Sequence, residues 1–182
     1  MKISSDDFIA ISEETVKRYT EEFPEFNAQI SIEKMNIPHI QATKTWGNST
    51  HDKDGYGCWD WAEIFYPRSK KSKYLNYAIT FNGVVEGMVS CRIEEPLKNV
   101  AIEYLQRKSG DVNLKGRITA LAIIQAAMVG YVYEFKTVSI NRPAPKLVDY
   151  YQKHVPSFTV VYENDFSQAV ARLVADISEI VK

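Results

Sequence analysis

Hydrophobic and polar positions follow two different periods along this chain. In some segments apolar residues recur every three or four positions, as on the buried face of a helix, and in others they alternate with polar residues, as in a half-buried strand. The first helix is predicted to begin at the capping residue Ser12 and to end at Pro24. The pattern then predicts a strand (28–35), a short helix (59–66), a hairpin (75–81 and 84–93), a strand (100–106), a buried helix (118–130), a strand (138–140), a helix (144–154), a strand (158–162) and a last helix (165–181).

The hairpin is the most specific of these predictions. Asn82 and Gly83 join its two strands, and this pair tolerates the positive φ angles of a type I′ turn. An antiparallel hairpin followed by alternating helices and strands indicates an α/β (α+β) fold, with a mixed, mostly antiparallel central sheet flanked by helices. A length of 182 residues fits one domain better than two.

Charge and composition narrow the function classes. The 22 basic and 23 acidic residues leave a formal charge of −1, so no overall field attracts nucleic acid or an anionic membrane. The local exception is the run from Arg68 to Lys73, with four positive charges, where phosphate of an RNA or nucleotide could be contacted. The N-terminus has no apolar signal segment, and the longest apolar stretch is too short to span a bilayer. We therefore expect a cytoplasmic protein without a membrane segment.

Two further sets of residues are interpreted from their spacing. Cys58, Cys91 and three scattered histidines form neither a disulfide framework nor a metal-ligand pattern, so no metal is expected. Trp59 and Trp61 lie between a glycine-rich loop (47–57) and the hairpin. They form either a small aromatic core, which is the preferred interpretation for Trp61, or the wall of an acceptor site, which stays open for Trp59.

Four motifs follow one another in the second half of the chain. They are Ala101-Ile-Glu-Tyr-Leu-Gln106, Asn113-Leu-Lys-Gly-Arg-Ile-Thr-Ala-Leu121, Val138-Ser-Ile-Asn141, and Lys146-Leu-Val-Asp-Tyr-Tyr-Gln-Lys-His154 running into Phe158. In this order and spacing the chain from residue 100 onward resembles the GCN5-related N-acetyltransferase (GNAT) superfamily. The second motif is similar to the family's acyl-CoA loop, Q/R-x-x-G-x-G/A. The resemblance implies one GNAT-like domain over residues 1–182, with a variable acceptor part (1–74), an acyl-CoA-binding core (75–163) and a C-terminal helix (164–182).

The resemblance also implies a cofactor site for acetyl-CoA as co-substrate. A helix N-terminus offers N–H donors and a positive dipole end to a pyrophosphate, and Gly116 lets the backbone approach it. Lys115 and Arg117 add positive charge. Leu105 is the implied oxyanion donor if its strand bulges there, and Asn141 holds the pantetheine arm or the closing helix. The implied cofactor-binding residues are Leu105, Asn113, Leu114, Lys115, Gly116, Arg117, Ile118 and Asn141.

Acyl transfer to an amine needs a base for the ammonium and an acid for the leaving thiolate. Tyr151 matches the family's acid, with Tyr150 as the alternative if the register differs by one residue. Glu103 is the expected base, directly or through water, and its other interpretation is an outward-facing strand residue.

The sequence therefore predicts an N-acetyltransferase that uses acetyl-CoA and the primary amine of a small molecule or protein. The alternative is a GNAT-like binding or regulatory module without acetyl-CoA activity, because Asn113 and Ile118 stand where the family has Gln or Arg and Gly or Ala. A third hypothesis is a transferase on nucleic acid bound at Arg68–Lys73. The C-terminal helix either covers the sheet edge or forms the contact of a homodimer.

Overall fold

The computed structural model describes residues 2–46, 59–165 and 168–181, except for the side chains of residues 154, 163–165 and 168–170. The predicted glycine-rich loop at 47–57, together with Cys58, lies outside the described residues. Among the helices that are described, none is both long and apolar enough to cross a membrane.

Six α-helices and seven strands occur in the described part of the chain. The helices are α1 (Ser5–Glu22), α2 (Ile37–Thr43), α3 (Trp61–Phe65), α4 (Ile118–Val132), α5 (Val148–His154) and α6 (Ile177–Ile180). The strands are β1 (Ile30–Lys34), β2 (Tyr74–Phe81), β3 (Val84–Glu94), β4 (Asn99–Arg107), β5 (Thr137–Asn141), β6 (Thr159–Asp165) and β7 (Gln168–Asp176). They form one sheet in the order β1-β2-β3-β4-β5-β7-β6. Only the β4–β5 pair among these is parallel, which confirms the predicted mixed, mostly antiparallel sheet.

The β2–β3 hairpin is confirmed in its position and turn. Phe81 pairs with Val84, and the two residues between them have φ angles of 47° at Asn82 and 75° at Gly83. Both angles are positive, as a type I′ turn requires, so the local chemistry of this pair sets the register of β2 and β3.

The start of the first helix was predicted too late in the chain. The helix begins at Ser5, because the Oγ of Ser4 accepts a hydrogen bond from the Asp7 N–H at 3.0 Å and caps the first turn. Ser12 lies inside the helix instead, where its buried Oγ accepts from the side chain of Gln125 on α4 at 3.1 Å. The short helix α2, capped by Asn36, was not predicted.

The predicted C-terminal helix (165–181) is wrong. That segment forms β7, which lies inside the sheet between β5 and β6, and only the short helix α6 follows it. Leu173, Ala175 and Ile177 are buried while the residues between them are not, which is the period of a strand. Apolar residues at 170, 173, 174 and 177 also match a helical spacing, and pairing with two neighbouring strands decided between the two periods.

The helix α4 packs against one face of the sheet, and α1 packs on the same face against both α4 and β1. The buried Tyr77 hydroxyl on β2 donates to the Ala122 carbonyl of α4 at 2.8 Å, so a polar group in this core is satisfied by helix backbone. Ile118, which is 2% exposed, fits against Gly87 on β3, where an added Cβ would lie 2.7 Å from its Cγ2. We call this side of the sheet the α4 face.

The other side of the sheet, which we call the opposite face, is apolar in one part and polar in another. Met88 on β3 packs there with Trp61 and Ile64 of α3 in a second apolar cluster. Farther along β3, Ser90, Arg92 and Glu94 alternate with residues that face α4, so a polar surface replaces the apolar one.

Candidate functional site

The parallel strands β4 and β5 separate after a short stretch of pairing. Their pairing ends at Ile102 and Ile140, whereas β4 continues alongside β3 as far as Arg107. One edge of β4 therefore loses its neighbour, and a gap opens between β4 and the end of β5.

The Leu105 amide faces this gap. The Lys108 N–H donates to the Glu86 carbonyl on β3 at 2.8 Å. The N–H of every second residue counted back from Lys108 along β4 therefore also points toward β3. The residues between them point their N–H away from β3. Leu105, which pairs with Val89, is one of these, so its N–H points away from β3 and toward the gap. The bulge itself is not at Leu105 as expected. Ser90 pairs with Tyr104 and Cys91 with Ile102, so the extra residue is Glu103.

The entrance of α4 presents unbonded backbone amides. Gly116 has a φ of 76°, as a glycine at this position allows, and a Cβ added to it would meet nothing within 4 Å. The N-cap residue Arg117 makes no side-chain capping bond. Within the described residues, no hydrogen-bond partner reaches the amides of Gly116 or of the first three helical residues, Ile118 to Ala120. These are the groups that a helix N-terminus offers to an anion.

Two amides earlier in the same loop are already bonded to the protein. A bulge between β2 and β3 inserts Glu86, and its carboxylate accepts from the Asn113 N–H at 3.1 Å and the Leu114 N–H at 2.7 Å. It also accepts from the Asn113 side chain at 2.8 Å. Glu86 is 2% exposed. A buried carboxylate therefore occupies the backbone amides of Asn113 and Leu114, and the expected role of these two residues toward a cofactor stays a prediction.

The other residues of the predicted loop point in three directions. Lys115 is exposed at the surface. The guanidinium of Arg117 lies 4.2 Å from the ring centre of Phe23, so part of its surface covers an aromatic ring at the end of α1. The side chain of Ile118 faces the sheet, so this branched residue leaves the open side of the loop to the backbone.

Tyr151 lies on α5, which follows the end of β5 and packs against α4. The side chain is 8% exposed and belongs to the core of the α4 face, with the ring of Tyr150 at 5.8 Å. Burial, and to a smaller extent Tyr150, raises the pKa of Tyr151 to about 12. The phenol therefore stays protonated at neutral pH and can donate a hydrogen bond.

Glu103, on the opposite face, is held by two arginines. Its Oε2 accepts from Arg68 Nη1 at 2.7 Å, and its Oε1 lies 3.2 Å from Arg92 Nε. The second pair lacks hydrogen-bond alignment, since Arg92 Nε has no hydrogen-bond partner, and we treat it as an ion pair only. Glu103 is thus paired and only partly exposed, and it lies where the two strands diverge.

The guanidinium of Arg68 contacts three further groups besides Glu103. It also donates to Ser90 at 3.0 Å, and its carbon lies 4.5 Å from the ring centre of Tyr74 and 4.7 Å from that of Tyr104. The first residue of the basic run is therefore directed into the protein, while Lys70 and Lys71 are exposed.

A second carboxylate extends this polar surface toward β7. Glu94 accepts from Arg92 at 2.6 Å, from Arg172 at 3.1 Å and from the Asn99 side chain at 2.7 Å. We call Arg68, Arg92, Arg172, Glu94 and Glu103 the arginine layer. Asn141 pairs with Arg172 in the sheet, and its Oδ1 accepts from Ser139 at 3.4 Å.

The tryptophans take different positions. Trp61 is buried and donates to Gln106 at 2.7 Å, which confirms the core interpretation. Trp59 is only partly buried and meets the Tyr104 ring edge-on at 5.2 Å, so it borders the arginine layer.

Sequence reasoning missed Glu86, the inward direction of Arg68 and the part played by Arg92. One signal for Glu86 was present, because Glu86-Gly87 interrupts the apolar first half of the strand (84–89), and glycine inside a strand often marks a bulge. No comparable signal marks the arginines. In the described ranges, no group of three or more His, Cys, Asp or Glu residues is arranged to hold a metal ion.

Comparison with known proteins gives matches in structure alone. No protein-family model matches the chain, and no curated protein matches it in sequence. Spermidine N-acetyltransferase from Vibrio cholerae, in complex with CoA and spermine, is similar with a TM-score of 0.60 at 12% identity, over 86% of this chain and 100% of that one. The ribosomal-protein-S18-alanine N-acetyltransferase of Escherichia coli is similar with a TM-score of 0.55 at 13% identity, over 81% and 94%.

An uncharacterized protein from Bacillus halodurans is also similar, with a TM-score of 0.62 at 12% identity over 83% of this chain and 86% of that one. The chain therefore has the GNAT fold, and the resemblance stated from the sequence is confirmed at the level of the fold.

Proposed function

We propose that this protein is an N-acyltransferase that moves an acetyl group from acetyl-CoA to an amine. The observation that carries the proposal is the gap between β4 and β5, with the unbonded amides of Gly116 and the first turn of α4 on one side of it. The fold it shares with N-acetyltransferases supports the same conclusion. The cofactor's pyrophosphate would lie against Gly116 and Ile118, with Lys115 adding positive charge.

The proposed reaction assigns one task to each group at the gap. The amine nitrogen attacks the thioester carbonyl, a C–N bond forms, and the Leu105 N–H donates to the oxyanion. As the C–S bond breaks, the nitrogen releases its remaining surplus proton to solvent, Tyr151 donates a proton to the leaving thiolate, and the phenolate regains a proton from solvent. Asn141, at the end of β5, would border the pantetheine arm.

Glu103 is the proposed acceptor of the ammonium proton. The guanidinium groups of Arg68 and Arg92 beside it favour the neutral amine over the ammonium, because like charges at short range disfavour the charged form. The amine then loses its proton to Glu103 before it attacks.

Calorimetry with acetyl-CoA tests the proposal. The wild-type protein should bind, and Gly116→Asp should weaken binding at least about tenfold, because a carboxylate at the α4 entrance repels the phosphates. Gly83→Asp is the matched control: Gly83 has a φ of 75° and equally open surroundings, but it lies in the hairpin turn. Absence of binding by the wild-type protein at millimolar acetyl-CoA would overturn the proposal.

One observation favours the alternative of a GNAT-like binding module without acetyl-CoA activity. Glu86 occupies the amides of Asn113 and Leu114, so part of the loop is satisfied without any cofactor. In that alternative the wild-type protein ignores acetyl-CoA and Glu86→Gln gains affinity. In the proposed function Glu86 positions the loop, and the same variant loses affinity.

A further inference from the structure

We propose that the acceptor is a primary amine with an aromatic group and without a second charge, and that Trp59 and Tyr104 bind its ring. This inference rests on the proposed function and names the class of acceptor for the same site. It excludes polyamines, which carry further ammonium groups, and acidic amines as the preferred acceptors.

The side from which the acceptor reaches the gap follows from the two faces of the sheet. The amides proposed for the cofactor lie at the entrance of α4, on the α4 face. A cofactor bound there covers the gap from that side, so the acceptor approaches from the opposite face. Tyr104 lies on this opposite face, since its side chain packs against the apolar cluster that contains Met88 and Trp61.

Tyr104 directly precedes Leu105, the proposed oxyanion donor. The Cα of Tyr104 is two bonds away from the nitrogen of Leu105. A hydrogen bond of about 2.9 Å would join that nitrogen to the oxygen of the reacting carbonyl. A group that is attached to the attacking amine therefore passes the side chain of Tyr104 on the opposite face.

The rings of Trp59 and Tyr104 form a corner. Their centres are 5.2 Å apart, the angle between their planes is 85°, and both side chains are partly exposed. A third ring can stack on one wall of such a corner and meet the other wall edge-on, which are the two arrangements that aromatic pairs prefer. The guanidinium of Arg68 lies 4.7 Å from the centre of the Tyr104 ring and helps to hold it in place.

The charges beside this corner already balance one another. The two guanidinium groups of Arg68 and Arg92 face two carboxylates: Glu103 contacts both arginines, and Glu94 contacts Arg92. Arg172 contacts Glu94 as well and has a further partner. A second ammonium or a carboxylate on the acceptor would have to take a charge away from its partner and leave a partly buried charge uncompensated. An uncharged aromatic group breaks none of these pairs.

The test compares amines that differ in one group at a time. Acetyl transfer is measured with 4-methylbenzylamine, with 4-(aminomethyl)benzoate, which adds a carboxylate, with 1,4-bis(aminomethyl)benzene, which adds an ammonium, and with spermidine. We expect kcat/KM for the uncharged ring to exceed that for each charged amine at least about tenfold, because an added charge must break an ion pair. Cyclohexylmethylamine, which has a saturated ring of similar size, should react about threefold to tenfold more slowly than benzylamine.

Variants of Trp59 test the aromatic corner. Trp59→Leu should reduce the preference for benzylamine over cyclohexylmethylamine to about twofold or less, because it replaces one aromatic wall by an apolar side chain. Trp59→Phe should leave an intermediate preference. The discrimination against charged amines should survive in both variants, since the arginine layer is unchanged. Tyr131→Leu is the matched control: it removes an exposed ring at the far end of α4 and should keep the full preference.

The wild-type measurements stand even if a variant fails to fold. Equal or faster transfer to spermidine or to either charged ring overturns this inference and leaves the proposed function intact, and so does equal transfer to benzylamine and cyclohexylmethylamine. Binding of acetyl-CoA without transfer to any of these amines also overturns it. Failure to bind acetyl-CoA at all overturns both proposals. A ring preference that survives in a folded Trp59→Leu protein overturns the assignment of Trp59.

Discussion

Two bulges in neighbouring strands of this sheet each insert a glutamate, and the two carboxylates have different partners. Glu86, on β3, accepts hydrogen bonds from two backbone amides and one side-chain amide of the loop before α4. Glu103, on β4, contacts the guanidinium groups of two arginines. A bulge interrupts the regular alternation of side chains along its strand. Here one bulge directs Glu86 to the α4 face, and the other directs Glu103 to the opposite face.

The difference lies in how freely the partners can move. Backbone amides are held by the chain, and Glu86 is almost fully buried, so its contacts are part of the folded loop. The partners of Glu103 are long side chains, and its own side chain is 16% exposed. A substrate can therefore replace one contact of Glu103 without unfolding a loop, whereas replacing a contact of Glu86 requires the loop itself to move.

The largest expected effect is on activity, from Glu103→Gln. We expect kcat/KM to fall about a hundredfold at neutral pH, because the amide cannot take the ammonium proton. Transfer by this variant should rise more steeply with pH than that of the wild type, since free amine then replaces the missing base. A loss of less than about threefold, or an unchanged pH profile, would leave Glu103 only the task of holding the arginines.

The second effect is on stability, from Glu86→Gln. The glutamine amide cannot accept all three hydrogen bonds, and buried N–H groups are left unsatisfied, so we expect the free energy of unfolding to fall by about 2 kcal/mol. Denaturant unfolding measures it. Glu103→Gln should cost less than Glu86→Gln in the same measurement, because Glu103 is partly exposed. The reverse order would contradict the distinction between the two bulges.

The smallest effect concerns Tyr151, the proposed acid. Tyr151→Phe should lower kcat about tenfold with little change in acetyl-CoA affinity, because it removes a hydrogen-bond donor and retains the ring. Since the pKa of Tyr151 is raised to about 12, the hydroxyl stays protonated and no loss of activity from its ionisation should occur below about pH 10. Tyr150→Phe is the matched control, and a larger effect at Tyr150 would move the acid by one position.

Local sequence was sufficient for much of the fold. The Asn82-Gly83 turn specified the hairpin, and apolar residues all round α4 marked it as buried. The same kind of reasoning failed for β7, where residues 170–177 match both a helix and a strand. It was also misleading at the loop: the pattern marked Asn113 and Ile118 as departures from the family, but Asn113 bonds to Glu86 and Ile118 fills the space beside Gly87.

The sequence by itself determined the elements whose signals are local, namely turns, caps and the buried helix, together with the order of motifs that indicates the GNAT fold. Tertiary structure alone decided which strands pair beside β5, which carboxylate reaches the loop amides, and that Arg68 and Arg92 converge on Glu103. The physical reason is that a turn or a cap is chosen by neighbours a few residues away. The partner of a bulged glutamate, by contrast, is chosen by strands and loops that are distant in the chain and adjacent only after folding.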